Sequence, residues 1–317
     1  MILVTGGAGF IGSHLVERLL EDGHRIVCLD NFNDLYDPKL KERNLAQVRN
    51  HTRFTLVHGD ILDRRLLEEL FSQHRFDRIV HLAALAGVRA SLTSPAHYID
   101  VDVTGTLHLL EMANAYAVDG FLFGSSSSIY GISQRVPFRE DDPADLQVSP
   151  YAAAKRAGEL LCGTYHHLYR IPITIPRFFT VYGPRQRPDM AIHRFVRLMS
   201  DGKPVPMYGD GSSTRDYTYV DDIIDGMMHA IERNYDFEVF NLGNSETIQL
   251  TELIALVGKA VGVEPQIERL PEQPGDVPIT YADISKARRL LDYHPSVSIE
   301  AGIERFVRWF RNQGPET

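Results

Sequence analysis

A glycine-rich turn lies between the first apolar run of the chain and the first amphipathic stretch. The segment reads Thr5-Gly6-Gly7-Ala8-Gly9-Phe10-Ile11-Gly12, after a strand predicted at 2–5 and at the start of a helix predicted at 11–21. Glycines at these spacings permit a tight turn, close approach of the backbone to a pyrophosphate and close helix–strand packing, and a helix N-terminus favours the anion. The segment therefore predicts a dinucleotide-binding unit. A glycine-rich turn without a ligand is the structural alternative.

An acidic residue, Asp30, ends the second predicted strand, eighteen residues after Gly12. A carboxylate at this position suits the ribose hydroxyls of NAD and repels the additional phosphate of NADP. Because residues 31–35 contain no arginine or lysine, the sequence predicts NAD as the cofactor. The third strand is followed by Asp60 and Ile61, which are candidates for contact with the adenine, although an acid at a strand end is also a common helix cap.

Short apolar runs alternate with amphipathic stretches up to about residue 178. The predicted strands are 2–5, 25–30, 54–58, 78–82, 121–125 and 172–178. Nearly continuous apolar strands are buried on both faces, so the pattern predicts an α/β fold with a doubly wound parallel sheet of the Rossmann type. Beyond residue 181, helices are expected at 191–200, 220–233 and 250–261, a short strand at 239–242, and helical segments at 284–291 and 299–310. This part is expected to form a smaller mixed α/β lobe, with the chain crossing back between the two parts.

Charge and cysteine content exclude several classes of protein. The 317 residues include 33 basic and 42 acidic side chains, and the net charge of −9 has the wrong sign for a generic binder of nucleic acid or of an anionic membrane. The two cysteines, Cys28 and Cys162, lack the spacing of a metal site, and the thirteen histidines are scattered. Neither a signal-type segment nor an apolar run of membrane-spanning length is present. We therefore expect a reduced, cytoplasmic setting and no metal.

A hydroxyl, a phenol and a lysine form the strongest chemical signal in the sequence. Ser126 lies in a run of serines, 125–128, at the end of the fifth predicted strand. Tyr151 and Lys155 are four residues apart at the start of a helix that Ser149 can cap, so they share one helix face. A neighbouring ammonium and a positive nicotinamide both favour the phenolate, which makes Tyr151 a usable acid/base at neutral pH. An isolated pair of this kind is more often a surface feature; together with the glycine turn and the serines, it predicts catalysis.

These motifs, taken with Asp30, make the chain resemble the extended short-chain dehydrogenase/reductase superfamily, and within it the NAD-dependent nucleotide-sugar epimerases and dehydratases. The resemblance covers essentially the whole chain. Later segments that match are Arg177-Phe178-Phe179-Thr180-Val181-Tyr182-Gly183-Pro184, Tyr208-Gly209-Asp210-Gly211, Arg215-Asp216-Tyr217 and Pro274-Gly275-Asp276. The resemblance implies an NAD-binding domain at residues 1–178 and a lobe at 179–317 that binds a nucleotide sugar.

The resemblance also implies a set of binding residues. Besides the glycine turn, Asp30, Asp60 and Ile61, the implied cofactor contacts are Asn31, Asn33, Leu82, Ala83, Ala84, Asp102, Tyr151, Lys155 and Phe178. The implied substrate contacts are Arg89, Ser127, Ser128, Thr180, Arg187, Met190, Ala191, Tyr208, Arg215, Gln273 and Asp276. Tyr208 is expected near the uracil, Arg215 on the pyrophosphate and Asp276 near the nucleotide ribose, while Arg89 is alternatively a surface arginine. Asp102 departs from the family, which usually has Asn at this position.

The residues after Ser126 distinguish the reactions within the family. Sugar dehydratases resemble one another in placing Asp-Glu there, and UDP-glucuronate decarboxylases keep a Glu, whereas this chain has Ser127 and Ser128. A 4-epimerase, an isomerase, needs no carboxylate at these positions. The segments Asn31–Asp37 and Arg187–Ala191 resemble those of UDP-glucuronate 4-epimerases more than those of UDP-glucose or UDP-N-acetylglucosamine 4-epimerases. These neutral-sugar epimerases, a net sugar-nucleotide reductase and a non-catalytic sensor remain alternatives.

A substrate carboxylate would explain the hydroxyl groups around the expected site. Oxidation of UDP-glucuronate at carbon 4 gives a β-keto acid, which loses carbon dioxide unless its carboxylate is held out of alignment. Thr180 and Arg187, with Ser127 and Ser128, are candidates for holding it; contact with phosphate or with solvent is the alternative for Arg187. The resemblance further implies a homodimer, for which the apolar stretches at 107–117 and 160–168 are candidates; both also suit packing against the sheet.

Overall fold

The computed structural model describes residues 1–133, 135–273 and 275–313, so Pro274 of the predicted Pro-Gly-Asp motif and residues 314–317 of the predicted second lobe lie outside the described residues. The strands are β1 (Ile2–Thr5), β2 (Ile26–Asp30), β3 (Phe54–His58), β4 (Arg78–His81), β5 (Phe121–Phe123), β6 (Ser125–Ser126), β7 (Ile173–Phe178), β8 (Thr180–Tyr182), β9 (Val205–Tyr208), β10 (Thr214–Arg215), β11 (Tyr217–Tyr219), β12 (Phe237–Leu242), β13 (Ile248–Gln249) and β14 (Ile267–Leu270). The α-helices are α1 (Phe10–Glu21), α2 (Pro38–Asn44), α3 (Arg64–Gln73), α4 (Val88–Thr93), α5 (Pro95–Ile99), α6 (Gly105–Ala115), α7 (Pro150–Tyr169), α8 (Ala191–Ser200), α9 (Val220–Arg233), α10 (Leu250–Val261), α11 (Ser285–Leu291) and α12 (Ile299–Asn312). A π-helical turn, Asp100–Thr104, leads into α6, and a 3₁₀ turn spans Ser127–Tyr130.

The main sheet, within the described residues, has the strand order β12-β7-β5-β4-β1-β2-β3, with β6 also paired to β7. Every pairing in it is parallel. The strand order reverses between β1 and β4, since β1 is followed by β2 on one side and by β4 on the other. The predicted doubly wound parallel sheet is confirmed, and ligands bind such sheets at the carboxyl ends of the strands where the order reverses.

Both faces of this sheet are buried, as the continuous apolar runs predict. Ile2 and Val4 face one hydrophobic cluster, which contains the inner sides of α1 and α9, whereas Leu3 and Ile79 face a second cluster, which contains residues of α3, α6 and α7. Cys28 and Cys162 are both buried and free. Within the described ranges, no helix combines the length and the apolar character needed to cross a bilayer.

The sheet differs from the predicted one at its β7 edge. The strand predicted at 239–242 is longer, Phe237–Leu242, and it adds to the main sheet beside β7. Three small pairings, β8 with β11, β9 with β14 and β10 with β13, were not predicted. Their strands have only two to four residues, which is too short for a period-two pattern to stand out in a sequence.

Candidate active site

A cavity of about 450 Å³ opens at the carboxyl ends of the main strands. The predicted cofactor residues that line it are Gly6, Gly9, Phe10, Ile11, Gly12, Asp30, Asn31, Asn33, Asp60, Ile61, Leu82, Ala83, Ala84, Tyr151, Lys155 and Phe178. The predicted substrate residues that line it are Ser127, Ser128, Thr180, Arg187, Met190, Arg215 and Asp276, and Ser126 lines it as well. Arg89, Asp102, Ala191, Tyr208 and Gln273 are not among the lining residues. The size is typical of a small-molecule site.

The glycine turn brings the backbone of α1 against the end of β4. Gly6 has φ +70°, and a Cβ at this position would lie 2.6 Å from the backbone nitrogen of Ala83. A Cβ on Gly12 would overlap the carbonyl oxygen of Gly6. Only glycine fits at these two positions, so the N-terminus of α1 stays open towards the cavity for an anionic group.

The carboxylate of Asp30 is held in place on both of its oxygens. Oδ2 accepts the backbone N–H of Ala8 at 3.1 Å, and Oδ1 accepts that of Phe32 at 2.9 Å. Lys41 of α2 lies 3.4 Å from Oδ1 and donates to Asn33 at 3.0 Å. Lys41 lies beyond residues 31–35, from which the absence of a cation was predicted, and it lines the cavity beside the predicted ribose site.

The N-terminus of α7 presents Tyr151 and Lys155. The Ser149 hydroxyl caps the helix by accepting the N–H of Ala152 at 3.1 Å, as its position before Pro150 predicts. Lys155 is 5% exposed, and its ammonium donates to the carbonyl oxygen of Gly124 at 2.9 Å. This hydrogen bond fixes the ammonium against the end of β5, on the cavity side that Tyr151 also lines.

The serine run, 125–128, lines the same cavity as Tyr151 and Lys155. The Ser126 hydroxyl accepts the N–H of Ser128 at 3.1 Å, so its own O–H proton remains available to a ligand. The Ser128 hydroxyl is buried and has no hydrogen-bond partner among the described residues. A buried hydroxyl without a partner is costly in an empty protein, and here it borders the cavity.

A buried network of hydrogen bonds connects α7 with the serine run. Glu159, one turn after Lys155, accepts a hydrogen bond from the Ser125 hydroxyl at 2.6 Å. It also accepts hydrogen bonds from Nε and Nη2 of Arg177, both at 2.9 Å. Arg177 also donates to the Tyr130 hydroxyl at 2.8 Å. The side chains of Glu159 and Arg177 are only 3% and 4% exposed. Glu159 was not predicted as a site residue, and Arg177 was noted only within a matching segment, because no sequence spacing links the two residues.

Arg187 lines the same cavity as Tyr151. Its guanidinium is paired with Asp189 through two contacts, Nε to Oδ1 at 3.0 Å and Nη2 to Oδ2 at 2.7 Å. Burial raises the pKa of Asp189, but the hydrogen bonds and charge of Arg187 outweigh this effect and leave the pKa below its ordinary value. Arg187 lies close enough to Tyr36, Tyr98 and Tyr151 to interact electrostatically with all three.

A second group of charged residues lies at the Arg215 end of the cavity. Arg89 stacks over the ring of Tyr208, 4.6 Å from its centroid, and donates to Asp276 at 3.0 Å. Burial, together with the charge of nearby Arg89, lowers the pKa of Arg215. The fold thus brings together four predicted substrate residues that are separated by up to 187 residues in the chain. Gln273 lies next to them, since its carbonyl accepts the N–H of Asp276 at 3.3 Å.

Asp102 lies behind the cavity in the π-helical turn, where the family usually has Asn. It is 2% exposed; Oδ1 accepts the N–H of Leu85 at 2.7 Å, and Oδ2 has no partner among the described residues. Burial raises the pKa of Asp102 to about 6, and the charge of Lys155 opposes this effect. Asp102 therefore contacts the loop after β4 and lies near Lys155, but its predicted contact with a cofactor stays a prediction.

Comparisons with known proteins agree with this arrangement. The model of the family described as GDP-mannose 4,6 dehydratase matches residues 3–306. The chain is 42% identical to a UDP-glucuronate 4-epimerase of Thermodesulfobacterium geofontis, over 97% of this chain and 95% of that protein. It is 39% identical to UDP-glucuronate 4-epimerase 1 of Arabidopsis thaliana, over 98% of this chain and 76% of that one.

Solved structures give the same result. The crystal structure of a Bacillus cereus UDP-glucuronic acid 4-epimerase in complex with UDP-glucuronic acid and NAD is 39% identical, covers 99% of both chains and superposes with a TM-score of 0.92. A Thermotoga maritima UDP-glucose 4-epimerase with UDP-glucose is 34% identical, covers 98% of this chain and 99% of that one, and also has a TM-score of 0.92. The chain therefore belongs to the extended short-chain dehydrogenase/reductase superfamily, in the family described as GDP-mannose 4,6 dehydratase.

Proposed function

We propose that this protein is an NAD-dependent isomerase that inverts carbon 4 of a UDP-sugar and interconverts UDP-glucuronate and UDP-galacturonate. The observation that carries the proposal is that one cavity is lined by Tyr151, Lys155 and Arg187 together with the four serines at 125–128. The named activities of the relatives from Thermodesulfobacterium and Bacillus cereus support it.

The described residues fit NAD. The Gly6 and Ala83 backbones approach each other as a pyrophosphate cradle requires, and Asp30 is oriented by two backbone N–H groups beside the predicted ribose position. The Bacillus cereus structures with bound NAD support the same cofactor here. The chemistry that bound NAD supplies is the reversible removal of hydride from carbon 4 of the sugar.

Proton transfer at carbon 4 is assigned to Tyr151. Its phenolate takes the proton of the 4-hydroxyl as the carbon is oxidised, and returns it when the opposite face is reduced. Lys155, fixed by the Gly124 carbonyl, holds a positive charge beside the phenol. Ser126, whose oxygen is occupied by the N–H of Ser128, donates its free proton to the same sugar oxygen and holds it in line. Rotation of the 4-keto sugar between the two half-reactions inverts the centre.

The reaction favoured here is epimerisation rather than dehydration, although the family model bears the name of a dehydratase. Elimination of water across carbons 5 and 6 needs an acid and a base next to Ser126, and Ser127 and Ser128 provide neither. The carboxylates that line the cavity are, among the described residues, Asp30, Asp60 and Asp276. Asp30 and Asp60 belong to the predicted cofactor end, and Asp276 is paired with Arg89.

The sugar carboxylate is assigned to Thr180, Arg187, Ser127 and Ser128. The Ser128 hydroxyl, which has no partner among the residues that the structure describes, and the guanidinium near Tyr151 provide donors on the side where carbon 5 would lie. Holding the carboxylate by hydrogen bonds keeps it in the plane of the ketone, where loss of carbon dioxide is disfavoured. A neutral sugar would leave these donors without an acceptor, which disfavours the UDP-glucose alternative.

The test is incubation of the purified protein with NAD and each of UDP-glucuronate, UDP-glucose and UDP-N-acetylglucosamine, with products identified by proton NMR. UDP-galacturonate is expected from UDP-glucuronate, without steady-state consumption of NADH and without product from a Tyr151→Phe variant. Conversion of UDP-glucose with no conversion of UDP-glucuronate would overturn the substrate assignment, and net NADH consumption would favour a reductase.

We also infer a homodimer in the cytoplasm. Two large apolar side chains of α7, Leu160 and Leu168, are 59% and 60% exposed and line the same surface groove. An exposed apolar patch of this kind supports a subunit contact through α7, for which light scattering after size exclusion is the test. The two buried free cysteines support a reducing compartment.

A further inference from the structure

Arg187 is paired along one edge only. Its Nε and Nη2 both contact the carboxylate of Asp189, two residues further on, whereas Nη1 donates to none of the described residues. A guanidinium carries five N–H donors in a planar fork, so one carboxylate can occupy the Nε edge while another binds at Nη1. Arg187 is therefore already held by one acid and still has donors for a second.

The two partners differ in exposure. The Arg187 side chain is 14% exposed and lines the cavity, whereas the Asp189 side chain is 62% exposed. Nη2 of Arg187 would lie 3.5 Å from a Cβ built on Gly87, which also lines the cavity. Asp189 is therefore the more exposed partner of the ion pair, and the guanidinium that it holds lies against the lining of the cavity.

The backbone that carries Arg187 is anchored independently of Asp189. His14 of α1 donates to the carbonyl oxygen of Pro184 at 2.9 Å, and Arg185 pairs with Glu17 of the same helix at 2.6 Å. These contacts attach the loop to the helix that begins at the glycine turn. Because the main chain is already fixed, the direction of the Arg187 side chain depends on its ion pair.

We propose that Asp189 is a positioning residue that clamps Arg187 and makes the site selective for a UDP-sugar with a carboxylate at carbon 5. The inference rests on the proposed function and identifies the residue that directs its cation. An unclamped arginine would be free to turn to the substrate pyrophosphate or to solvent. Once clamped, it presents Nη1 to the sugar, and the charge of Asp189 balances the guanidinium when the site is empty or holds a neutral sugar.

The test compares Asp189→Asn with Asp189→Glu and with a matched control, Asp201→Asn. Asp201 forms the same kind of pair with a cation two residues away, Lys203, at 3.0 Å, and neither residue lines the cavity. Three quantities are measured for each protein: kcat/KM for UDP-glucuronate, the carbon dioxide released per epimerisation, and the Kd for UDP-glucose as the neutral ligand.

For Asp189→Asn we expect kcat/KM for UDP-glucuronate to fall by about tenfold, since one charge-assisted interaction is lost. Carbon dioxide release per turnover should rise, the Kd for UDP-glucose should stay within about twofold, and Asp189→Glu should restore part of the loss. If Asp189 had a merely structural role, Asp189→Asn would weaken the binding of both ligands equally and leave the carbon dioxide released per epimerisation unchanged. That result would overturn the proposal. Unchanged values for Asp189→Asn in a protein that epimerises UDP-glucuronate would also overturn it. Failure of the unaltered protein to convert UDP-glucuronate would instead contradict the proposed function, and this inference with it.

Discussion

The hydroxyl of Ser125 donates to the carboxylate of Glu159 at 2.6 Å, inside the protein. This bond joins β6, which carries Ser126, to α7, which carries Tyr151 and Lys155. The same carboxylate receives two hydrogen bonds from Arg177 of β7. The buried Glu159–Arg177 ion pair thus helps to set the position of Ser126 relative to the helix that carries Tyr151 and Lys155.

Glu159→Gln is expected to destabilise the protein strongly and to slow catalysis. The substitution leaves the Arg177 guanidinium buried without its counter-charge, which typically costs roughly 3–5 kcal/mol of unfolding free energy. Because the contact positions the reacting groups, kcat should fall more than KM rises. Urea denaturation and steady-state kinetics measure both effects. Glu68→Gln, which breaks an exposed pair with Arg64, should cost less than about 1 kcal/mol; equal losses in the two variants would contradict the prediction.

Asp102→Asn is expected to change the pH dependence of stability. Burial raises the pKa of Asp102 from 3.8 to about 6, so between these values the folded protein binds more protons than the unfolded chain. The contribution of Asp102 to stability is therefore present below pH 3.8 and is lost as the pH rises through about 6, by roughly 3 kcal/mol in total. As the pH rises from about 4 to above 6, the unfolding free energy of the unaltered protein should therefore fall relative to that of Asp102→Asn.

Chemical denaturation of both proteins on either side of the window measures this difference. The matched control is Asp100→Asn, on the same π-helical turn but exposed. A stability difference between the unaltered protein and Asp102→Asn that is the same at both pH values would contradict the prediction.

Asp30→Ala is expected to change the cofactor preference. Loss of the carboxylate removes its predicted hydrogen bonds to the ribose and should weaken the binding of NAD by about tenfold or more. Lys41, now without its counter-ion, remains beside the predicted 2′ position and should improve the binding of NADP relative to NAD. Titration of cofactor-free protein with each dinucleotide gives the ratio. The double variant Asp30→Ala/Lys41→Met should cancel the gain for NADP; a gain that persists without the lysine would show that its charge is not the cause.

Thr180→Val and Arg187→Ala are expected to release carbon dioxide from UDP-glucuronate. The proposal assigns both side chains to holding the sugar carboxylate out of alignment with the ketone, so removing either contact lets the carboxylate align and the 4-keto sugar decarboxylate. Arg187→Ala should also weaken the binding of UDP-glucuronate by about tenfold or more, as expected for a lost charge-assisted contact. Trapping of released carbon dioxide alongside the NMR assay measures both products. An unchanged epimerisation rate without additional release in either variant would contradict the assignment.

Local sequence patterns predict much of the fold and part of the site. The bounds of α8, α9 and α10 agree with those predicted from apolar periodicity, because each helix buries one regular face. The glycine turn, Asp30, Tyr151 and Lys155 are recognisable because their spacing is set by local geometry, and all of them line one cavity. The division of the chain at residue 178 into two binding domains stays a prediction.

Contacts set by tertiary packing were not predictable in this way. Lys41 reaches Asp30 only because α2 folds back over the strand end, eleven residues further along the chain. The pairing of Glu159 with Arg177 depends on how α7 lies against β7. Arg187 and Asp189 are only two residues apart in the sequence, but their orientation towards each other depends on the loop that α1 anchors.

The position of β12 at the edge of the main sheet makes distant parts of the chain depend on each other. Its six residues hydrogen-bond with β7, and Asn241 within it accepts the Tyr130 hydroxyl at 2.6 Å. A fragment ending near residue 178 would expose the backbone donors and acceptors of β7. It would also remove Asn241, the hydrogen-bond partner of Tyr130 in the buried polar network. Such an open edge invites pairing with other chains, so truncation at this point is expected to yield an aggregating product rather than a minimal cofactor-binding protein.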